Sequence, residues 1–243
     1  MKRLLLILTA AMLAVAPLRA GILDFSTPSK PLDIGIRLGI NTSNMSNNYT
    51  YANPAYRWTS TDWGTGFTGG VVVDLNIAKS FALQPGFYFQ SRNMDYRYEF
   101  NTPTAEGEVG MLDHIESGHI RSYNFEIPIM FSFRFNLTSL FQVRAEVGPY
   151  FQCGIDGNDK YTVSTPNIPD VKYKRDIYGD DGFMRSYDWG FKIGGGLTLL
   201  GRYHLSIHYE AGCRNIYKQP IDLRHDLSGK NKTWDVTFGY DIF

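Results

Sequence analysis

Ser206, His208 and Glu210 stand at alternate positions in the stretch Leu205-Ser206-Ile207-His208-Tyr209-Glu210. Alternate residues on a β-strand share a face, so hydroxyl, imidazole and carboxylate would form one column. Those are the parts of a nucleophilic site, in which a serine attacks, a histidine takes its proton and an acid orients the histidine. The chemistry in view would be that of a lipid A-modifying enzyme. Two features weigh against it. Neighbours on one strand face stand about 6.5–7 Å apart at Cα, so hydrogen-bond reach is not assured. The column also lies opposite Leu205, Ile207 and Tyr209, whereas a site acting on lipid must reach the membrane or a rim. The expectation is therefore no enzyme and no catalytic residue.

The same phase carries other charges. Arg37, Asp74, Glu126, Arg144, Glu146, Lys192, His208 and Glu210 each alternate with large apolar residues. Such a set could line a narrow ion-selective pore, or its members could pair and plug a small barrel, because eight strands leave room only for side chains. Plugging is the expectation, with Arg37 set against Asp74 and Glu126 against Arg144, since a lone interior charge is costly. No metal-ligand spacing, phosphate-cradling glycine loop or nucleotide fingerprint occurs, so no cofactor is expected. The formal net charge is zero with 24 basic and 24 acidic residues, which removes the electrostatic case for nucleic acid.

The elements that would hold these residues are strands. The stretch 233–243 reads TWDVTFGYDIF, with Trp234, Val236, Phe238, Tyr240 and Ile242 alternating with Asp235, Thr237, Gly239 and Asp241. A free strand edge cannot exist in lipid, so this strand must close on another. Seven more alternating stretches precede it, at about 34–40, 63–75, 81–91, 120–134, 141–152, 183–199 and 205–212. Polar stretches at 44–62, 92–119, 155–182 and 215–232 read as long loops, and 76–80, 136–139 and 200–202 as short turns. Alternating long and short connections suit an eight-stranded antiparallel transmembrane β-barrel with short periplasmic turns and long extracellular loops. A soluble calyx fits less well, because it needs its apolar face inside. Pro85 predicts a local irregularity, and Gly194-Gly195-Gly196 predicts a bend in the wall. Phe243 falls out of phase with Ile242 and Tyr240 and is expected to overhang the last ladder pair.

Residues 1–20 have the charged start, apolar core and small final residue of a signal peptide. Residues 21–32, with Pro28 and Pro31, read as a short periplasmic arm, and 33–243 as the barrel. Trp63, Tyr187, Trp189, Tyr209, Trp234 and Tyr240 are expected in aromatic girdles at the membrane surfaces. Tyr49, Tyr51, Tyr56, Trp58, Tyr96 and Tyr98 would populate external loops. Cys153 and Cys213 fall on strands that are not neighbours and are expected as free thiols.

The segments LQPGFYFQSR, YNFEIPIMFSF, VRAEVGPYFQCGI, DWGFKIGGGL and LSIHYEAG resemble the PorT-like outer-membrane barrel proteins of Bacteroidetes. The most specific pieces are Gln84-Pro85-Gly86, Glu126-Ile127-Pro128 and Gly148-Pro149-Tyr150. The resemblance implies residence in the bacterial outer membrane, insertion by the barrel-assembly machinery and contact with outer-membrane lipid. It also implies a link to type IX-like protein secretion. The leading expectation is a structural or interaction component that engages a protein partner through external loops or barrel wall. The alternatives are a narrow pore or lateral transporter for small hydrophobic compounds, and the lipid A-modifying enzyme.

Overall fold

The computed structural model describes residues 23–51, 56–103, 109–138, 140–218 and 225–242, with side chains described at 23–46, 60–99, 112–138, 140–218 and 229–242. The expected signal peptide at 1–20, the phase of Phe243 and the side chains of Tyr49, Tyr51, Tyr56 and Trp58 lie outside the described residues.

The strands are β1 (Leu32–Tyr51), β2 (Tyr56–Ala78), β3 (Phe81–Pro103), β4 (Val109–Asn136), β5 (Phe141–Ser164), β6 (Val171–Asp176), β7 (Tyr187–Leu199), β8 (Tyr203–Gly212) and β9 (His225–Asp241). All pairings are antiparallel. Each strand pairs with the next around a ring, except that β5 pairs with β7 along its first half and with β6 only beyond Gly157. β1 closes the ring on β9, from Gly35↔Asp241 to Tyr51↔His225. Eight strands thus close the ring, and β6 joins the same sheet only on the far end of β5.

Side chains alternate strictly between the two faces. From Ala145 to Gln152, β5 runs exposed, buried, exposed, buried without a break. The buried set is polar: Arg37, Asp74, Glu126, Lys192, Glu210 and Asp235 are all at most 4% exposed. The exposed set is apolar, with Leu38 at 62% and Ile40 at 61%. Such a surface is unfavourable in water and suited to lipid, where outward apolar residues meet acyl chains.

The expected long loops are mostly strand, which corrects the sequence reading. Asn44–Tyr51 of β1 pair with Lys232–His225 of β9, and Arg92–Phe100 of β3 pair with Ser122–His114 of β4. Above the apolar belt both faces of a strand meet water, so the apolar period of two disappears while the backbone ladder continues. These extensions form a crown on the long-connection side. At the opposite end the turns are short. Leu200 and Gly201, with φ of 54° and 65°, lie in the three-residue connection between Leu199 of β7 and Tyr203 of β8, where Arg202 N–H donates to the Leu199 carbonyl (3.1 Å). At Pro85 the β3–β4 register does not shift. Instead the rungs at Gly86 and Phe87, opposite Pro128 and Ile127, drop out, because proline brings no N–H to a ladder.

The described part of the arm folds across the short-turn end. Asp24 N–H donates to Ser80 Oγ (2.8 Å), Ser80 N–H to the Asp24 carbonyl (2.9 Å) and Asn76 N–H to the Pro31 carbonyl (2.9 Å). The Asp24 carboxyl is held at about 2, below its ordinary 3.8, first by the Ser26 hydroxyl, then by the Ser26 amide and Lys79. A depressed carboxyl stabilises its surroundings above its unfolded value and loses that effect as pH falls through the folded one. The Ser26 and Ser80 amide resonances are expected to hold steady from neutral pH down to about 4 and to titrate near 2. A midpoint at the ordinary carboxyl value would contradict the contact.

Candidate functional site

The inward-facing residues meet in a continuous ion network along the lumen. Its centre is Lys192 on β7, whose Nζ lies 3.1 Å from Glu126 Oε1, 2.7 Å from Glu210 Oε1 and 3.1 Å from Asp235 Oδ2. Arg92 of β3 reaches the same two glutamates, pairing through Nη2 with Glu126 at 3.3 Å and with Glu210 more closely. Gln90 Nε2 donates to Glu126 Oε2 at 2.9 Å. Toward the short-turn end, His208 sits between Glu146 (2.7 Å to Nε2) and Asp235 (3.2 Å to Nδ1). Both ring nitrogens therefore face carboxylate oxygens, and only the imidazolium can donate to both. Arg144 Nη2 lies 2.6 Å from Glu146 Oε1, and Arg134 Nη2 lies 2.9 Å from Asp74 Oδ2. Arg144 Nη1 points at His204 Nδ1 (2.9 Å), which leaves His204 Nε2 to donate to Asp241 Oδ2 (2.6 Å). Arg37 Nη2 donates to Asp241 Oδ1 at 2.9 Å.

All eight sequence-named charges point inward and are buried. Their expected pairings are not the ones formed. Register places Asp33 opposite Asp74, and Arg37 opposite Gly70 on one side and Gly239 on the other. Arg37 therefore turns to Asp241, through space that a Cβ at Gly239 would occupy. Glu126 stands opposite Gln152, whereas Arg144 stands opposite Arg134 and Gly196, far along β5. Glu126 takes Lys192 and Arg92 instead.

Sequence reading missed Arg92, Arg134, His204, Asp235 and Asp241 as network members. Each continues a phase already recognised: Arg92 follows Gln90, Arg134 follows Ser132, and Asp235 and Asp241 alternate with Val236 and Tyr240. Arg92 was hidden because it begins a stretch expected to be loop.

Ser206, His208 and Glu210 do share the inner face of β8, but the described hydrogen bonds join none of them to another. His208 is taken by Glu146 and Asp235, and Glu210 by Lys192 and Arg92.

The six aromatics expected in girdles point away from the lumen at two levels along the wall. Tyr209 packs tilted against Trp234 with ring centroids 4.8 Å apart; with Trp63, Tyr187 and Trp189 they lie toward the crown. Tyr240 lies at the short-turn rim against Tyr203, 5.3 Å away. Cys153 and Cys213 are free thiols on either side of β7.

Two segments between strands close the crown end of the lumen. Ile177 and Met184, between β6 and β7, meet Ile216 and Tyr217, between β8 and β9, over Met45, Met94, Tyr96 and Ile120. Arg185 N–H donates to the Ile216 carbonyl (2.7 Å) and Lys218 N–H to the Phe183 carbonyl (2.9 Å). A void of about 40 Å³ between cap and network, lined by Arg92, Asn124, Gln152 and Asp188 among others, has room for a water or two and not for a solute path. At the other end, a recess of about 430 Å³ lined by Lys30, Asp33, Lys79, Arg134 and Arg202 stops at the Arg134–Asp74 pair.

Arg175 of β6 pins the crown together. Its guanidinium lies 4.5 Å from the ring centroids of both Tyr161 and Phe183, and it pairs with Asp159 at 2.8 Å and Glu116 at 3.1 Å. Tyr96 Oη donates to Asp159 Oδ2 (2.7 Å). Arg175→Ala is expected to raise amide hydrogen exchange across 157–186 while exchange in the lumen-lining stretches of β7 and β8 stays unchanged. Unaltered exchange in 157–186 would contradict the role given to Arg175.

Among known proteins, the family model described as outer membrane protein beta-barrel domain matches residues 22–218. No curated protein matches the chain. Among solved structures, the chain is similar to Ail, the attachment invasion locus protein of Yersinia pestis, in complex with the heparin analogue sucrose octasulfate, with 12% identity over 88% of this chain and 100% of that one and a TM-score of 0.38. It is also similar to the outer membrane protein OprG from Pseudomonas aeruginosa, with 12% identity over 88% of this chain and 97% of that one and a TM-score of 0.44. At these values the likeness carries no functional argument.

Proposed function

The chain belongs to the outer membrane protein beta-barrel domain family of the bacterial outer membrane, and from that premise we propose that it is a structural or interaction component that works through its crown rather than its lumen. The observation that carries this reading is the Lys192 cluster under the cap: side chains fill the lumen, and the surface left for recognition is the set of strands that rise beyond the apolar belt. Recognition commonly sits on segments that a rigid scaffold holds clear of the core. The PorT-like segments make a protein-secretion complex the first partner to seek. Photo-crosslinking residues placed in native outer membranes at Leu112 on the crown and at Ile207 on the apolar belt test the reading. A discrete protein adduct is expected from Leu112 and lipid adducts from Ile207. Lipid adducts alone from every exposed crown position would contradict it.

A further inference from the structure

β6 is a short edge strand that carries two lysines on one face. Among the described residues it pairs only with β5, from Asn158↔Asp176 to Val163↔Val171. Ile177 N–H donates to the Gly157 carbonyl at 3.2 Å, which fixes the phase of the ladder. Antiparallel bonds alternate along a pair, so Val171, Tyr173 and Arg175 bond to β5. Lys172, Lys174 and Asp176 turn their backbone N–H and C=O groups to the other edge. β8, which would continue the wall on that side, stops at Gly212, and its last rung to β9 is Ala211↔Lys232.

The side chains along this edge carry a pattern. Lys172 and Lys174 are exposed on one face, and Lys160 of β5 stands directly opposite Lys174. None of the three is in an ion pair among the described residues. Like charges opposed across a ladder are destabilising, and Asp176 is the one carboxylate of β6 on that face. The other face of β6 exposes Val171 and Tyr173, with Tyr173 stacked on Tyr161 at 5.2 Å between centroids. A second copy paired antiparallel about Tyr173 would set Lys172 against Lys174, which disfavours that self-association. A strand with Asp or Glu at alternate positions would satisfy the backbone groups and the three ammonium groups together.

We infer that the outer edge of β6 is a docking site for an extended acidic segment of a partner protein, added to the crown as a further strand. Strand addition draws affinity from backbone bonds and specificity from alternate side chains. The inference rests on the crown being the interaction surface.

The test uses the full chain in lipid nanodiscs and a blocked peptide alternating Glu with Val, read by fluorescence anisotropy. A peptide of the same composition with its Glu residues in one block, and inorganic polyphosphate, are the comparators. The alternating peptide is expected to bind at least about tenfold more tightly than the block peptide. The double variant Lys172→Gln, Lys174→Gln is expected to weaken it by about tenfold or more. Lys172→Pro, which also removes an outward N–H at an edge position that tolerates proline, is expected to weaken it further than Lys172→Gln. Equal binding of both peptides, or full competition by polyphosphate, would overturn strand addition in favour of a plain polyanion patch. No binding by any probe would overturn the site altogether. In either case a persisting protein adduct at Leu112 would leave the crown as an interaction surface, and its absence would remove that reading too.

Discussion

Lys192→Met is expected to destabilise the folded barrel by about 3–5 kcal/mol, the cost typical of removing one partner from a buried ionic set. Lys192 touches Glu126, Glu210 and Asp235, all fully or almost fully buried. Methionine fills much the same volume, so packing changes little and the effect isolates charge. Arg92 still reaches Glu126 and Glu210, but it cannot replace the contact to Asp235, which then relies on His208 alone. Glu210→Gln should cost clearly less, because Lys192 keeps two carboxylates and the amide oxygen can still accept. The urea midpoint of the protein in detergent micelles, read by tryptophan fluorescence, checks both variants. An unchanged midpoint for Lys192→Met would mean that water solvates those carboxylates and that the lumen is not filled as described.

On the opposite face of the same wall, Ile207→Arg is expected to cost about 2–4 kcal/mol, the range for arginine at the middle of a lipid-facing strand. Ile207 is 51% exposed and lies between Tyr203 at the short-turn rim and Tyr209 toward the crown. Tyr203→Arg, at the short-turn rim, should cost about 0–1 kcal/mol, because there the side chain reaches the headgroups. Reversible unfolding in phospholipid vesicles separates the two. Equal effects at both positions would contradict the placement of the apolar belt. The pair matters because position on one strand face, rather than residue chemistry alone, sets the cost.

The wall was legible in the sequence for a specific physical reason. Ile34 to Ile40, Phe141 to Phe151 and Trp234 to Ile242 each show lipid to one side of the strand and the lumen to the other, so hydropathy records the pleat directly. Where both faces meet water, as from Asn44 to Tyr51 or Arg92 to Phe100, nothing in hydropathy marks the strand, and the crown was read as loops. The charges of the lumen were legible as a set and not as pairs. Phase says that Arg37 points inward; only register, which follows from how the staves are staggered, says that Asp241 rather than Asp74 is within its reach. Long side chains that cross the lumen add partners no single pair of strands reveals, as Arg92 on β3 does with Glu210 on β8. β6 was missed because Val171 to Asp176 alternates lysine with valine, tyrosine and arginine inside a stretch dominated by Pro, Gly and Asp.

The central claim is that ion pairs and packed side chains fill this barrel and leave no continuous aqueous path. Single-channel recording of the purified protein in planar lipid bilayers tests it most directly. A quiet baseline is predicted at all moderate voltages and salt concentrations after insertion has been verified. Regular, reproducible open-channel steps from the wild-type chain would contradict the account.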